Sequence, residues 1–140
     1  MGQPPAETPL PPTPSPVSTP ILSPTSAAAC TNDLTFLEDV TVPDGMLVPP
    51  DLAIDKQWLV SNSGSCNWDS RYTLRLVGGD ALGAPREQAL FPARAGTRAV
   101  VRIRFVGPSA PGRYGSTWQA FGPDGLPFGA EMFLDVIVGG

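Results

Sequence analysis

The stretch SNSGSCNWDSRY, residues 61–72, sets Cys66 two positions before Trp68, behind a turn rich in Ser, Asn and Gly. A thiol beside an aromatic ring suits three kinds of chemistry: a reactive or metal-binding sulfur, a platform on which a ligand stacks, or the corner of a cross-linked scaffold. The first of these needs partners. A nucleophilic thiol needs a base to activate it, and the chain has no histidine. Cys30 is the only other cysteine, which is too few for a Cys and His cluster with metal-ligand spacing. The run GPDGLPFG, residues 122–129, has the glycines of a phosphate loop. It lacks the Lys and the following helix whose N-terminus would face an anion. Carboxylates gather at Asp33, Glu38, Asp39, Asp44, Asp51 and Asp55 without the one, three, five spacing of a calcium loop, and they read as solvated loop charge. The expectation is no catalytic residue, no metal site and no cofactor.

The elements that hold these residues are short and extended. After Cys30, apolar residues recur in brief runs broken by Pro, Gly, Asn and Asp, which is a β pattern, and no segment keeps a helical period over three turns. The pattern predicts strands at residues 34–42, 52–61, 72–77, 98–106, 113–121 and 131–138, with a short one near 88–91. In AVVRIRFV, residues 99–106, Val101, Ile103 and Phe105 fall on one face and Val100, Arg102 and Arg104 on the other, as in a sheet with one wet side. Ile54, Lys56, Trp58, Val60 and Asn62 form another row, Tyr72, Leu74 and Leu76 a third, and Tyr114, Ser116, Trp118 and Ala120 a fourth. Trp58, Trp118, Tyr114 and Phe105 are thus the expected aromatic core. Lys56 is the odd member of its row, and a core-facing Lys is expected beside an aromatic ring with its head over the ring or at a carboxylate.

VPDG at 42–45 and GPDG at 122–125 carry the Pro, Asp, Gly order of tight turns and predict hairpins. About seven short strands with turns between them predict an all-β fold, an immunoglobulin-like β-sandwich. A small closed barrel is the alternative.

Composition divides the chain in two. Nine of the 18 prolines lie in residues 1–24 among Ser, Thr and Ala, too little apolar surface to offset the entropy of ordering. Residues 1–29 are expected to be a disordered, semi-rigid Pro-rich linker, extended by up to about 3 Å per residue, and residues 30–140 a single domain. SAAAC, residues 26–30, has the look of a lipoprotein cleavage box, but no apolar stretch precedes it. It reads as a linker ending at a structural Cys. The formal charge of −4, with all nine basic residues at or after Lys56, argues against nucleic acid. No run approaches the roughly 18 apolar residues that span a bilayer, and no signal sequence opens the chain. A monomer is expected.

The order DVTVPDG, IDKQWLVSNSGSCNW, YTLRLVGGD, APGRYGSTWQAFGPDGLPFG and EMFLDVIV resembles the four-tryptophan domain. This is the Ig-like central domain of the selective-autophagy cargo receptor family, found also in bacterial proteins. The resemblance covers Cys30 to Gly140 and rests on K-x-W, N-x-G, a further Trp, and G-x-Y-x-x-x-W followed by P-F-G. Three of the name-giving tryptophans map to Trp58, Trp68 and Trp118, and the fourth position falls on Phe133, which keeps a ring without the indole N–H. The two cysteines resemble those of the bacterial branch. The resemblance implies a non-catalytic module that binds a polypeptide partner, carried by an exported or cell-surface bacterial protein and held off by the Pro-rich segment.

In such a compartment Cys30 and Cys66 are expected to form a disulfide, contributing about 4 kcal/mol by loop closure. The alternative is two buried free thiols in a cytosolic protein. Phe133, out of step with Met132, Leu134 and Val136, is expected on the outer face as a contact residue. Trp68 is read as a ring packed over the corner at Cys66 and, if left uncovered there, as a second contact candidate. Arg71, Arg75, Arg102 and Arg104 alternate outward and form a basic stripe if their strands share a sheet. Such a stripe is a solvated face or a site for an acidic peptide or anionic polymer. Glycan binding by stacking on Phe133 or Trp68, and a purely structural spacer, are the alternative functions. Alkylation of native material without reductant is expected to add no label; two labelled thiols would overturn the cross-link.

Overall fold

The computed structural model describes residues 30–139, and the Pro-rich segment 1–29 lies outside the described residues. The alternating pattern folds as eight strands: β1 (Thr35–Asp39), β2 (Met46–Val48), β3 (Ala53–Ser61), β4 (Thr73–Gly79), β5 (Glu87–Ala89), β6 (Arg98–Val106), β7 (Gly112–Phe121) and β8 (Pro127–Val138). They form a three-stranded sheet ordered β1-β3-β6 and a five-stranded sheet ordered β2-β8-β7-β4-β5. The inward rows of both sheets meet in one core, so the fold is an Ig-like β-sandwich rather than the closed barrel. No helix occurs among the described residues.

Strand β6 matches its predicted bounds, because its alternation is complete: Val101, Ile103 and Phe105 are buried and Val100, Arg102 and Arg104 exposed. Strand β8 begins earlier than predicted, since Pro127 and Phe128 pair with Phe121 and Ala120 beyond a bulge. Strand β2 was not predicted. It has three residues and pairs in parallel with β8, Met46 opposite Val136, so nothing local marks it.

The two Pro-Asp-Gly turns behave differently. At residues 122–125 the Gly125 N–H donates to Gly122 O at 2.9 Å and closes the β7–β8 hairpin as expected. The turn at 42–45 joins strands of different sheets, which corrects the hairpin expectation there. The Val40 N–H still donates to Gln57 O of β3 at 2.9 Å, whereas the Gly45 N–H donates to Asp135 O of β8 at 2.9 Å. The chain therefore crosses from one sheet to the other between those two bonds.

Trp58, Trp118 and Phe105 are fully buried, with the Phe105 and Trp118 rings edge to face at 6.0 Å. Each indole is satisfied: Trp58 Nε1 donates to Phe133 O at 3.0 Å and Trp118 Nε1 to Ser116 Oγ at 2.7 Å. Tyr114 packs at the rim and donates its hydroxyl to Ala110 O at 2.8 Å, the backward tyrosine bond seen at corners of Ig-like sandwiches. Two glycines are demanded by close approach. A Cβ at Gly64 would overlap the Thr31 carbonyl oxygen, and at Gly129, φ +75, it would lie 2.6 Å from Leu34 Cβ. These positions explain N-x-G and P-F-G as packing requirements.

Trp68 corrects an expectation. It is 2% exposed, so it offers no stacking platform. Its backbone N–H donates to Ala93 O at 2.8 Å, its ring lies 6.3 Å from that of Phe128, and Phe128 in turn meets Tyr72 edge-on at 5.9 Å. Asn62 secures the same corner, donating from Nδ2 to Cys66 O at 2.9 Å and Ala93 O at 3.1 Å. Cys30 and Cys66 are both disulfide-bonded. The Trp68 indole N–H is buried without a hydrogen-bond partner. Trp58→Phe and Trp68→Phe remove the same volume, but only the first strips a bond and leaves Phe133 O unpaired. Chemical denaturation is expected to show Trp58→Phe the more destabilised by about 1–2 kcal/mol; equal losses would show that the Trp58 bond contributes nothing net.

Candidate recognition groove

Two members of the inward row of β3 position the most distinctive surface of the domain. Lys56 is fully buried, and a buried ammonium is tolerable only when its protons are all bonded. It has three donors, and they go to Asp39 Oδ1 at 2.7 Å, Thr41 O at 3.0 Å and Val42 O at 2.8 Å. The head also lies 5.6 Å from the Trp58 ring centroid, a cation–π distance. This is the aromatic and carboxylate environment expected from the sequence, and it names the partner. The carbonyls of Thr41 and Val42 belong to the segment crossing between sheets, where no ladder can take them. Val42 is at φ +51, which is costly for a β-branched residue. Lys56 thus holds a strained crossing in place.

Trp58, two residues on, fixes the opposite wall through Phe133 O on β8. Between the two walls opens a cavity of about 180 Å³ lined by Phe36, Asp39, Asp44, Glu131 and Phe133. Phe36 on β1 is 37% exposed and Phe133 49%. The groove therefore presents two half-exposed rings flanked by three carboxylates, of which Asp39 already pairs with Lys56 and Asp44 and Glu131 make no ion pair among the described residues. That combination suits a ligand carrying a cation beside apolar surface. Among the described residues, no group of three or more His, Cys, Asp or Glu is arranged to hold a metal ion.

The other sequence candidates lie elsewhere. The basic stripe does not form: Arg75 is on β4 and Arg102 and Arg104 on β6, in different sheets. Arg71 is folded onto Asp69, with Nη2 to Oδ2 at 2.7 Å. Arg75 lies 3.4 Å from Glu87 and 4.5 Å over the Phe121 ring. Arg102 grips Asp55 through two bonds of 2.7 and 2.8 Å. These bonds, with two from Arg113 to Asp135, hold the carboxyls of Asp69, Asp55 and Asp135 below the usual carboxylate range. A lowered carboxylate adds stability at neutral pH that fades as the pH falls through the lowered value. At such exposed pairs the amount is small. Burial pushes the Tyr72 hydroxyl up; that side chain donates to Asn32 Oδ1 at 2.6 Å.

Of the groove residues, only Phe133 was singled out from sequence. Asp39 and Asp44 had been read as loop charge. A signal was available for one other: Glu131 shares the parity of Phe133 in β8. Phe36 stands beside Leu37 in β1, and nothing local separates the two.

Comparison with known proteins agrees with the Ig-like fold. A family model described as the Ig-like domain from next to BRCA1 gene matches residues 41–138. Protein ILRUN of Danio rerio is 31% identical over 104 residues, covering 74% of this chain and 37% of its own length. Protein NBR1 homolog of Arabidopsis thaliana is 33% identical over 106 residues, 73% of this chain and 15% of its own. The human Next to BRCA1 gene 1 protein is 29% identical over 116 residues, 78% of this chain and 12% of its own. The chain thus spans a minor part of each of these relatives.

The groove geometry predicts a separation between its support and its lining. Lys56→Met leaves two carbonyls and Asp39 without their donor and is expected to cost about 3 kcal/mol or more. Phe133→Ala, at a half-exposed ring, is expected to cost about 1 kcal/mol or less. Denaturant titration of the two variants checks this; similar losses would contradict it.

Proposed function

Because the chain belongs to the family of Ig-like domains from next to BRCA1 gene, we propose that it is a non-catalytic polypeptide-recognition module. Its contact surface is the groove between Phe36 and Phe133. One observation carries the reading. The three tryptophans are buried in the scaffold, whereas the ring at the fourth tryptophan position, Phe133, stands half exposed at a cavity walled by Asp39, Asp44 and Glu131. Aromatic residues, Phe among them, are enriched at protein interfaces. The partner is a segment with a Lys or Arg side chain next to an apolar residue, the cation resting between rings and carboxylates.

The same module is proposed to work as an exported or cell-surface domain on its Pro-rich tether. Support comes from the disulfide-bonded state of both cysteines, since such bonds persist in oxidising compartments. The resemblance to the bacterial branch points the same way. A glycan ligand is the second reading, because an exposed ring flanked by carboxylates also suits a sugar.

Selection from a displayed random-peptide library is expected to enrich basic, apolar-flanked sequences. Their binding should fall at least tenfold in both Phe133→Ala and Glu131→Lys and weaken with salt. Glycan-array binding lost in Phe133→Ala would replace the peptide reading with the sugar one. No ligand in either format would leave a structural spacer.

A further inference from the structure

On the flank opposite β1, the three-stranded sheet ends in β6. Its pairing with β3 runs from Ala53 opposite Val106 to Ser61 opposite Arg98. Just beyond each end, the Gly107 N–H donates to Leu52 O and the Asn62 N–H to Thr97 O. The odd-numbered residues of β6 therefore exchange bonds with β3. In an antiparallel ladder the alternate residues turn their N–H and C=O the other way: Arg98, Val100, Arg102, Arg104 and Val106. Of these, Val106 alone is covered, its N–H donating to Leu82 O at 2.8 Å. Among the described residues, no backbone strand covers the edge from Arg98 to Arg104.

The side chains give that edge two different faces. Val101 and Ile103 point inward and, with Leu74, Leu90 and Phe91, line an apolar cleft of about 420 Å³ between β6 and β5. Arg98, Arg102 and Arg104 point outward and are exposed. Arg102 is held by Asp55; Arg104 stands opposite Asp55 in the ladder and acts on its carboxylate through space, and neither Arg98 nor Arg104 makes a direct ion pair among the described residues. A second copy is a poor occupant. Two-fold registers that overlap most of the edge pair even positions with even positions and set at least one of these arginines opposite another, which is unfavourable.

We infer that the β6 edge, Arg98–Arg104, takes up an extended peptide as an added strand, one whose residues alternate acidic and aliphatic. The main chain of the peptide pairs with the four open residues. Its acidic side chains lie beside Arg98 and Arg104 on the outer face, and its aliphatic ones enter the cleft over Val101 and Ile103. Backbone bonds supply the binding, and the two faces supply the selectivity. This surface is separate from the Phe36 and Phe133 groove and opposite to it in charge.

The test is an NMR titration of the whole chain with a short blocked peptide of alternating Asp and Val, and in parallel with its Lys and Val counterpart. The expected result is chemical-shift change and slowed amide exchange at Arg98, Val100, Arg102 and Arg104, with at least tenfold preference for the acidic peptide. Val100→Pro removes an outward N–H that the domain itself does not use, a change edge strands tolerate. It is expected to remain folded and lose most of the binding. Arg98→Glu with Arg104→Glu is expected to reverse the peptide preference, and Phe133→Ala to leave it unchanged. No shifts at about 1 mM peptide, shifts at Phe36 and Phe133 instead, equal binding of both peptides, or undiminished binding by folded Val100→Pro would each overturn the inference.

Discussion

The buried ammonium of Lys56 is the constraint on which the arrangement turns. Taking a charge out of water costs several kcal/mol, and the fold meets that cost with three acceptors gathered from one short segment, Asp39 to Val42. That segment is where the chain leaves β1 in one sheet to become β2 in the other. A crossing of this kind strands carbonyls between the sheets. The Lys needs acceptors and the crossing needs donors, so each makes the other possible.

The rest of the inward row of β3 works the same way. Trp58 reaches Phe133 O on β8, and Asn62 reaches Cys66 O and Ala93 O. Three polar groups on one face of the strand thus bind four places in the chain, all but Cys66 distant in sequence. The apolar members between and beside them, Ile54 and Val60, fill the core. One strand provides both the hydrophobic face and the ties, and the family markers K-x-W and N-x-G are those ties. Their chemistry is spent on the scaffold, which leaves the exposed side chains to the flanks. These flanks carry opposite charge: carboxylates and rings where β1 meets β8, arginines along β6.

Legibility in the sequence followed the range of the interaction. Period-two alternation is local, so β6, β3 and the burial of Trp58, Trp118 and Phe105 could be read directly. The GPDG turn was readable because its hydrogen bond closes within four residues. VPDG has the same composition, yet it became a crossing, because the competing bonds come from Gln57 and Asp135. Strand β2 escaped because its one ladder is with residues 136–138. Whether Trp68 is covered could not be read for a related reason: the loop at Ala93 and the ring of Phe128, both remote in sequence, cover it. The arginines alternate as expected, but the chain order does not say that β4 and β6 belong to different sheets.

By itself, then, the sequence determined the β class, the facing of each strand, and the need of Lys56 for a carboxylate or a ring. These follow from periodicity, composition and the cost of burying a charge, which act within a strand or on a single residue. Only the tertiary structure decided which acidic residue meets Lys56, that Phe36 and Phe133 face a common cavity, and which arginines make direct ion pairs. Those outcomes depend on which strands become neighbours. Neighbours are chosen by long-range pairing and sheet packing, in which residues far apart in the chain compete for the same backbone bonds and the same space.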